Sequence, residues 1–492
     1  MASTDGGPSQ DTGTPSTPQQ QQPLGGQQGA QQGQQGQQQG QQQGQQQGQQ
    51  QGDTSQGGQQ ANNQDPPGQV MQSEMEGPPE EVEKVEQDTV LRDEMNFIQN
   101  VSRFFNEEAL SDVIIKLDDQ RFYAHKFVLA KSSEVFMKML YEKAWSKNVK
   151  EEIELQESQE CVQVFDKFLR YLYTAEVHIN TSSAVGILCL SDKYCVDSLK
   201  AICVQYMIEN SRSPRVPNAL NWYPWAKALC LPDLLDQCMK TIAWNAQDII
   251  TSPEWLGFDT EFVCDILNNS ELVILNENVL LERLMKWLFH ESRITDLEDH
   301  CSQLLPLVRF PMMQSQQLFQ LEHSELSQST DCMVLLQKLL SQAYRFRALC
   351  TSQPKLSINF DEPYYHPRDY VDLTVDTVRM QNSLRYGIQV DVKMYRGPVP
   401  QETRDGDWKI TYRKTQPDVW QLQVYGHDTA MVNNEARVCM SVLIYNEQDK
   451  VIQVERGPVT TVSRGNCITM TMNICEPALA RNMAVLIKTT AS

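Results

Sequence analysis

Few residues in this chain are placed to do covalent or acid–base chemistry. Seven histidines in 492 residues are few, and none has a histidine partner at i+4, the spacing that sets two imidazoles on one helical face. His125 has the right type for a general base, but at the start of a helical run it reads as a satisfied hydrogen bond. His300-Cys301 would need its thiolate held against an imidazole, and reads as a chance adjacency at a helix edge. Asp118-Asp119 sits in a turn, where Asp is favoured because it bonds its own backbone. Asp361-Glu362, before Pro363, reads as the lead-in to a later domain. The thirteen cysteines are an odd number without framework spacing and include no Cys-x-x-Cys, so structural zinc is not expected. Cys189, Cys195, Cys203, Cys230 and Cys238 lie in apolar helical stretches, where a thiol behaves as a small hydrophobe. That usage suits a reducing compartment. A nucleophile elbow, a P-loop, a Rossmann fingerprint and H-E-x-x-H are absent from the sequence. No catalytic residue, cofactor or metal is expected.

Charge and composition exclude further classes. The net charge is −21, and no Lys/Arg run is dense enough to track phosphates, so the folded part is not expected to bind nucleic acid. No run approaches the roughly 18 apolar residues of a membrane span. Met1–Gln22 lacks a charged region followed by an apolar one, so no secretory leader is read there. Gln19–Gln60 is almost wholly Gln and Gly. Such a tract buries nothing to offset the roughly 1–2 kcal/mol per residue that backbone ordering costs. Residues 1–93 are therefore expected to be a disordered tail, either a passive solvated one or a Gln-rich self-associating segment.

The most informative stretch is Leu110–Tyr141. Val113, Ile115 and Leu117 alternate as one face of a half-buried strand, Asp118–Gln120 supplies turn chemistry, and Arg121–Tyr123 returns as a hairpin. From His125 the spacing becomes helical, with Phe127, Val128, Ser132, Phe136, Met139 and Leu140. Before it, Met95–Glu107 carries an apolar stripe of Phe97, Ile98, Val101, Phe104 and Phe105. After it come a short strand at Glu152–Leu155, a helix at Cys161–Tyr173, an edge strand at Val177–Ile179, and helices near Thr181–Tyr194 and Val196–Ile208. The wording D-V-x(8)-F-x-A-H-K-x-V-L-A-x-x-S-x-x-F, with FLRYLYTAEVHI further on, resembles a BTB (POZ) domain, an α+β assembly module, over 94–210.

Pro214 and Pro217 mark a break, and Asn218–Cys230, Leu231–Asp248, Asp259–Leu267, Asn276–His290 and Asp331–Ala348 then read as helices. NENVLLERLMKWLF and LLPLVRFPMMQSQQL resemble the all-α BACK domain, placed at 211–350. The resemblance puts Trp287 in a helix core and Arg309-Phe310-Pro311 at the end of a helix pair, with no chemistry attached. Beyond Pro354, Tyr386–Tyr395, Trp408–Tyr412, Val419–Tyr425, Val438–Tyr445, Val451–Val454, Cys467–Ile474 and Met483–Lys488 are short β-rich runs. Six or seven strands there argue for an all-β antiparallel sandwich over 355–492. The order BTB, BACK, sandwich resembles BTB–BACK proteins whose end domain is TRAF-like.

The resemblance implies a non-enzymatic homodimeric scaffold. It assigns the stripe Phe97, Ile98, Val101, Phe104 and Phe105 to a two-fold interface, with Asp112 and Lys126 paired in a charged pocket near its axis. Many BTB–BACK proteins are substrate adaptors for cullin-based ubiquitin ligases, which would make Met139, Leu140, Tyr141 and Trp145 cullin-facing. Lys147, however, stands where that surface carries Glu. The sandwich would hold a protein client, and the location would be cytoplasmic. The alternative is a secreted glycoprotein with galectin-type or matrix partners, for which Asn100, Asn180 and Asn268 open Asn-x-Ser acceptor sites.

Overall fold

The computed structural model describes residues 89–141, 152–350, 360–380 and 387–491. Most of the expected tail, and Trp145 and Lys147, lie outside these residues.

The first region runs α1 (Glu94–Ser102), β1 (Val113–Leu117), β2 (Gln120–Ala124), α2 (Lys126–Ser132), α3 (Glu134–Tyr141), β3 (Glu152–Leu155), α4 (Gln159–Val162), α5 (Phe165–Thr174), α6 (Ala184–Lys193) and α7 (Asp197–Asn210). The sheet order is β2-β1-β3, with β2 antiparallel and β3 parallel to β1. Val113, Ile115 and Leu117 are buried while Ile114 and Lys116 are half-buried, the alternation the sequence shows. Asp118 turns the hairpin at φ 51°, a left-handed conformation Asp tolerates.

Four local expectations are corrected here. The helical run after His125 is two helices, because Ser133 is extended between them. Its hydroxyl accepts from the Phe136 N–H (3.1 Å) and donates to the Tyr194 carbonyl (2.6 Å), capping α3 on the core. The run 161–173 likewise breaks after Val162. The first helix stops at Ser102, short of Phe104 and Phe105, and Asn106 instead accepts the Tyr123 N–H at 3.0 Å. Val177–Ile179 is not a strand. The flanking amides of Glu176 and Asn180 donate to the hydroxyls of Thr174 and Ser183, and Val177 and Ile179 pack on the core without a ladder.

The helical block contains α8 (Val216–Ala228), α9 (Pro232–Trp244), α10 (Ala246–Thr251), α11 (Thr260–Asn268), a short β4 (Val273–Ile274), α12 (Glu277–Leu288), α13 (Leu297–Leu304), α14 (Ser315–Leu321), α15 (Glu325–Gln328) and α16 (Thr330–Leu349). Pro217 and Pro232 sit in first turns, where a missing N–H costs nothing. Asp259 and Asn276 cap α11 and α12 through the Phe262 and Val279 amides, at 2.8 and 3.0 Å. Trp222, Trp255 and Trp287 are fully buried. The expectation of unpaired cysteines fails at one place. Cys301 of α13 and Cys332 of α16 form a disulfide across 31 residues, both buried, with Cα atoms 6.1 Å apart. A pairing set by two distant helices leaves no spacing signal in the chain.

The last region adds β5 (Asp369–Tyr370), β6 (Thr374–Arg379), β7 (Ile388–Met394), β8 (Gly406–Gln416), β9 (Val419–Gly426), β10 (Glu435–Tyr445), β11 (Val451–Arg456), β12 (Thr460–Ser463), β13 (Cys467–Asn473) and β14 (Asn482–Thr489). One sheet has the order β11-β10-β14-β6, with β12 also on β10, and the other β13-β9-β8-β7; all these pairs are antiparallel. Among the described residues the two sheets hold nine strands. β6 and β12, rich in Thr and lacking an apolar run, escaped the sequence reading. Trp408, Ile410 and Tyr412 of β8 and Trp420, Leu422 and Val424 of β9 alternate into the core. In β14 the residues Met483–Thr489 are buried without interruption, so both its faces are covered.

Candidate interaction surfaces

Apolar side chains stand in solvent along α1 and the segment after it. Nothing on α1 is buried, although Ile98 and Val101 are half-buried against α5. Phe97 is 70% exposed and Phe104 39%; Met95, Leu110 and Phe127 are exposed as well. Phe104 meets His125 edge-on at 5.8 Å, just before α2 begins. Phe105 turns inward onto Tyr173, also at 5.8 Å. The stripe thus divides into an inner half that holds the helix down and an outer half, Phe97 and Phe104, that is exposed to solvent. Phe127, part of the helical spacing after His125, is 72% exposed. At the first turn of a seven-residue helix its side chain lies off the face carrying Val128 and Leu129.

Asp112 and Lys126 meet differently from the expected charged pair. The Asp112 carboxylate accepts the backbone N–H of Lys126 at 2.7 Å, capping α2, and no ion pair joins the two side chains among the described residues. The N–H is an orphan donor of the first turn, so the nearest carboxylate takes it. His125 Nδ1 lies 2.9 Å from the Tyr173 hydroxyl, whose pKa burial pushes up to about 12.

On α3, Tyr141 is exposed and Met139 half-buried, but Leu140 is only 5% exposed and belongs to the core. The solvent side of this helix is instead Met137 and Tyr141, neighbours at i and i+4.

Where the sandwich meets the helical block, charges are buried. β5 pairs in parallel with β4, carrying Arg368-Asp369-Tyr370 into the helices. Arg368 donates to the carbonyls of Leu267, Asn269 and Leu307 at 2.7–2.8 Å, and its Nε lies 2.9 Å from Glu277 Oε1. Glu277 also accepts from the Tyr370 hydroxyl (2.7 Å) and the Arg309 N–H (3.1 Å). The Arg309 guanidinium donates to Ser270 Oγ and the His366 carbonyl; burial and the Arg368 charge push it down to about 10. Asp369 takes Lys488 of β14 at 2.8 Å and Arg456 of β11 at 2.6 Å. Burial would raise its pKa, but those two cations outweigh burial and hold it below the ordinary Asp range. Sequence reasoning missed this network and gave Arg309 only a capping role. Isolated charged residues in a loop carry no sign that they will be enclosed.

Among the described residues no group of three His, Cys, Asp or Glu could hold a metal, and no helix is long and apolar enough to cross a membrane.

Residues 101–211 match the sequence model of the BTB/POZ domain, and residues 219–323 that of BACK, "BTB And C-terminal Kelch". The chain carries a BTB/POZ domain followed by a BACK domain. α1 therefore leads into the BTB domain, and the buried charges join BACK to a β-sheet-rich C-terminal region. BTB/POZ domain-containing protein 17 of Homo sapiens is 29% identical to this BTB–BACK chain over 280 residues, 56% of the chain and 56% of its own length. Galectin-3-binding protein of Mus musculus is 29% identical over 229 residues, 46% of the chain and 39% of its own length. The chain spans about half the length of these curated relatives or less. A solved structure of the BTB (Tramtrack and Bric a brac) domain of human Gigaxonin matches 24% of the chain and 98% of its own at 21% identity, with a TM-score of 0.21.

Proposed function

We propose that the chain is a non-enzymatic scaffold in which two copies join through the BTB domain and the C-terminal sandwich holds a protein client. The observation that carries this reading is the outer half of the α1 stripe. Phe97, Phe104 and Phe127 are large apolar groups left in water beside a folded core. A second copy offers the same patch, and a two-fold arrangement lets each cover the other. Burying one such Phe gains about 2–3 kcal/mol. Phe97→Asp is expected to halve the mass seen by light scattering without lowering the melting temperature, and an unchanged dimer would reject this surface. The sheet edges β7 and β13 suit an extended client segment added as a strand. A cullin-adaptor role would use Met137 and Tyr141 of α3. A pull-down in which wild-type chain retains no cullin would reject that role.

A second reading, a secreted glycoprotein with galectin-type or matrix partners, is favoured by one specific observation. The Cys301–Cys332 bond belongs to an oxidising compartment. Asn100, Asn180 and Asn268 are all exposed, as acceptor sites must be. A relative bearing the name galectin-3-binding protein adds to it. Glycosidase treatment that leaves the mobility of the cell-derived protein unchanged would reject it in favour of the cytoplasmic reading.

A further inference from the structure

A cleft of about 500 Å³ opens on the BACK domain between α8 and α11, within the range of sites that hold a ligand group. Its floor is aromatic. Phe262 lies 5.1 Å from Tyr223 and 4.6 Å from Phe258, ring centre to ring centre. Leu220 and Pro224 continue the apolar wall along one face of α8. The rim is acidic: Asp259, Glu261 and Asp265 stand against the single ammonium of Lys227, three negative charges to one positive.

These charges are unevenly committed. Asp265 is taken up by Lys227 and by the Tyr223 hydroxyl at 2.7 Å. Asp259 caps α11. Glu261 touches Lys227 at 2.7 Å, but its side chain is 71% exposed and can accept more donors. An apolar floor under an unbalanced acidic rim is complementary to an apolar side chain with a cation beside it. The −21 charge of the chain draws such a partner in from a distance.

We infer that this cleft is a docking site for a protein segment that presents a large aliphatic or aromatic side chain next to Lys or Arg. The apolar group fills the floor between Tyr223, Phe258 and Phe262, and the cation meets Glu261. The site is independent of the α1 face and of whether two copies pair.

The test uses the full chain and two tetrapeptides, acetyl-Arg-Leu-Arg-Phe-amide and acetyl-Glu-Leu-Glu-Phe-amide, titrated calorimetrically at low and high salt. The basic peptide is expected to bind, more weakly at high salt, and the acidic one not to. Gly257 lines the cleft, and no atom lies within 4 Å of where its Cβ would stand, so Gly257→Leu fills the space without displacing anything. That variant should keep the melting temperature and lose about tenfold in affinity, about 1.4 kcal/mol. Glu261→Lys should lose as much and flatten the salt dependence. Equal binding of both peptides, unchanged affinity in Gly257→Leu, or no binding of the basic peptide at millimolar strength would each overturn the site. Binding of arginine amide as strong as that of the basic peptide would overturn the segment and leave only a cation pocket.

Discussion

Two faces of this molecule, the α1 face of the BTB domain and the seam between BACK and the sandwich, are built by opposite physics. Around α1, apolar side chains are left in water and polar ones do local work, as when Asp112 caps α2. At the seam with the sandwich, four cations and three carboxylates (Arg309, Arg368, Lys488, Arg456; Glu277, Asp369, Glu271) are drawn together, several of them fully enclosed. An exposed apolar face is reversible and accepts any surface of matching shape. A buried charge network has one satisfactory arrangement, because each group must find its partner to offset desolvation. The first kind of contact suits association between chains, and the second fixes an angle within one.

That contrast can be broken by substitution. Asp369→Ala strands Lys488 without a carboxylate and leaves Arg456 only Glu271, which should cost about 3–5 kcal/mol, read as a fall in melting temperature with the mass by light scattering unchanged. A fall in mass produced by this change would mean that the seam and the proposed dimer face are coupled. Cys301→Ser should cost roughly 3–4 kcal/mol by the chain-entropy account for a loop of 31 residues, read by denaturation with and without reductant. Phe97→Asp, at about 2–3 kcal/mol, should do the converse of Asp369→Ala, lowering the mass of the proposed dimer and sparing stability. The smallest effect is that of pH. The carboxylate of Asp369 titrates below its usual 3.8, so its contribution is complete above that value and is lost as pH falls through the lower folded-state value. Denaturation of wild type should steepen there, and Asp369→Ala should not.

Much of the BTB domain was legible because period-two and helical patterns put Val113, Ile115, Leu117, Phe136 and Phe168 where the core needed them. Errors gathered where the pattern was too short to carry a period. β12 has four residues, and Val177–Ile179 has three. The surfaces were read unevenly. Phe97 and Phe104 do face solvent, but Met137 on α3 was overlooked and Leu140 was misplaced outward. Nothing in Arg368-Asp369-Tyr370 betrays enclosure, because the partners that permit it lie about a hundred residues away on both sides.

The parallel pairing of β5 with β4 gives the C-terminal sandwich a root inside the BACK domain. Cutting the chain once between residues 351 and 359 would therefore not free the sandwich. The downstream piece would stay clasped by the strand and the ions that follow the cut, and the nicked protein would migrate as a single particle until denatured. A sandwich produced alone from that point would keep Asp369 with Lys488 and Arg456 but would carry Arg368 without Glu277 and the three carbonyls that hold it.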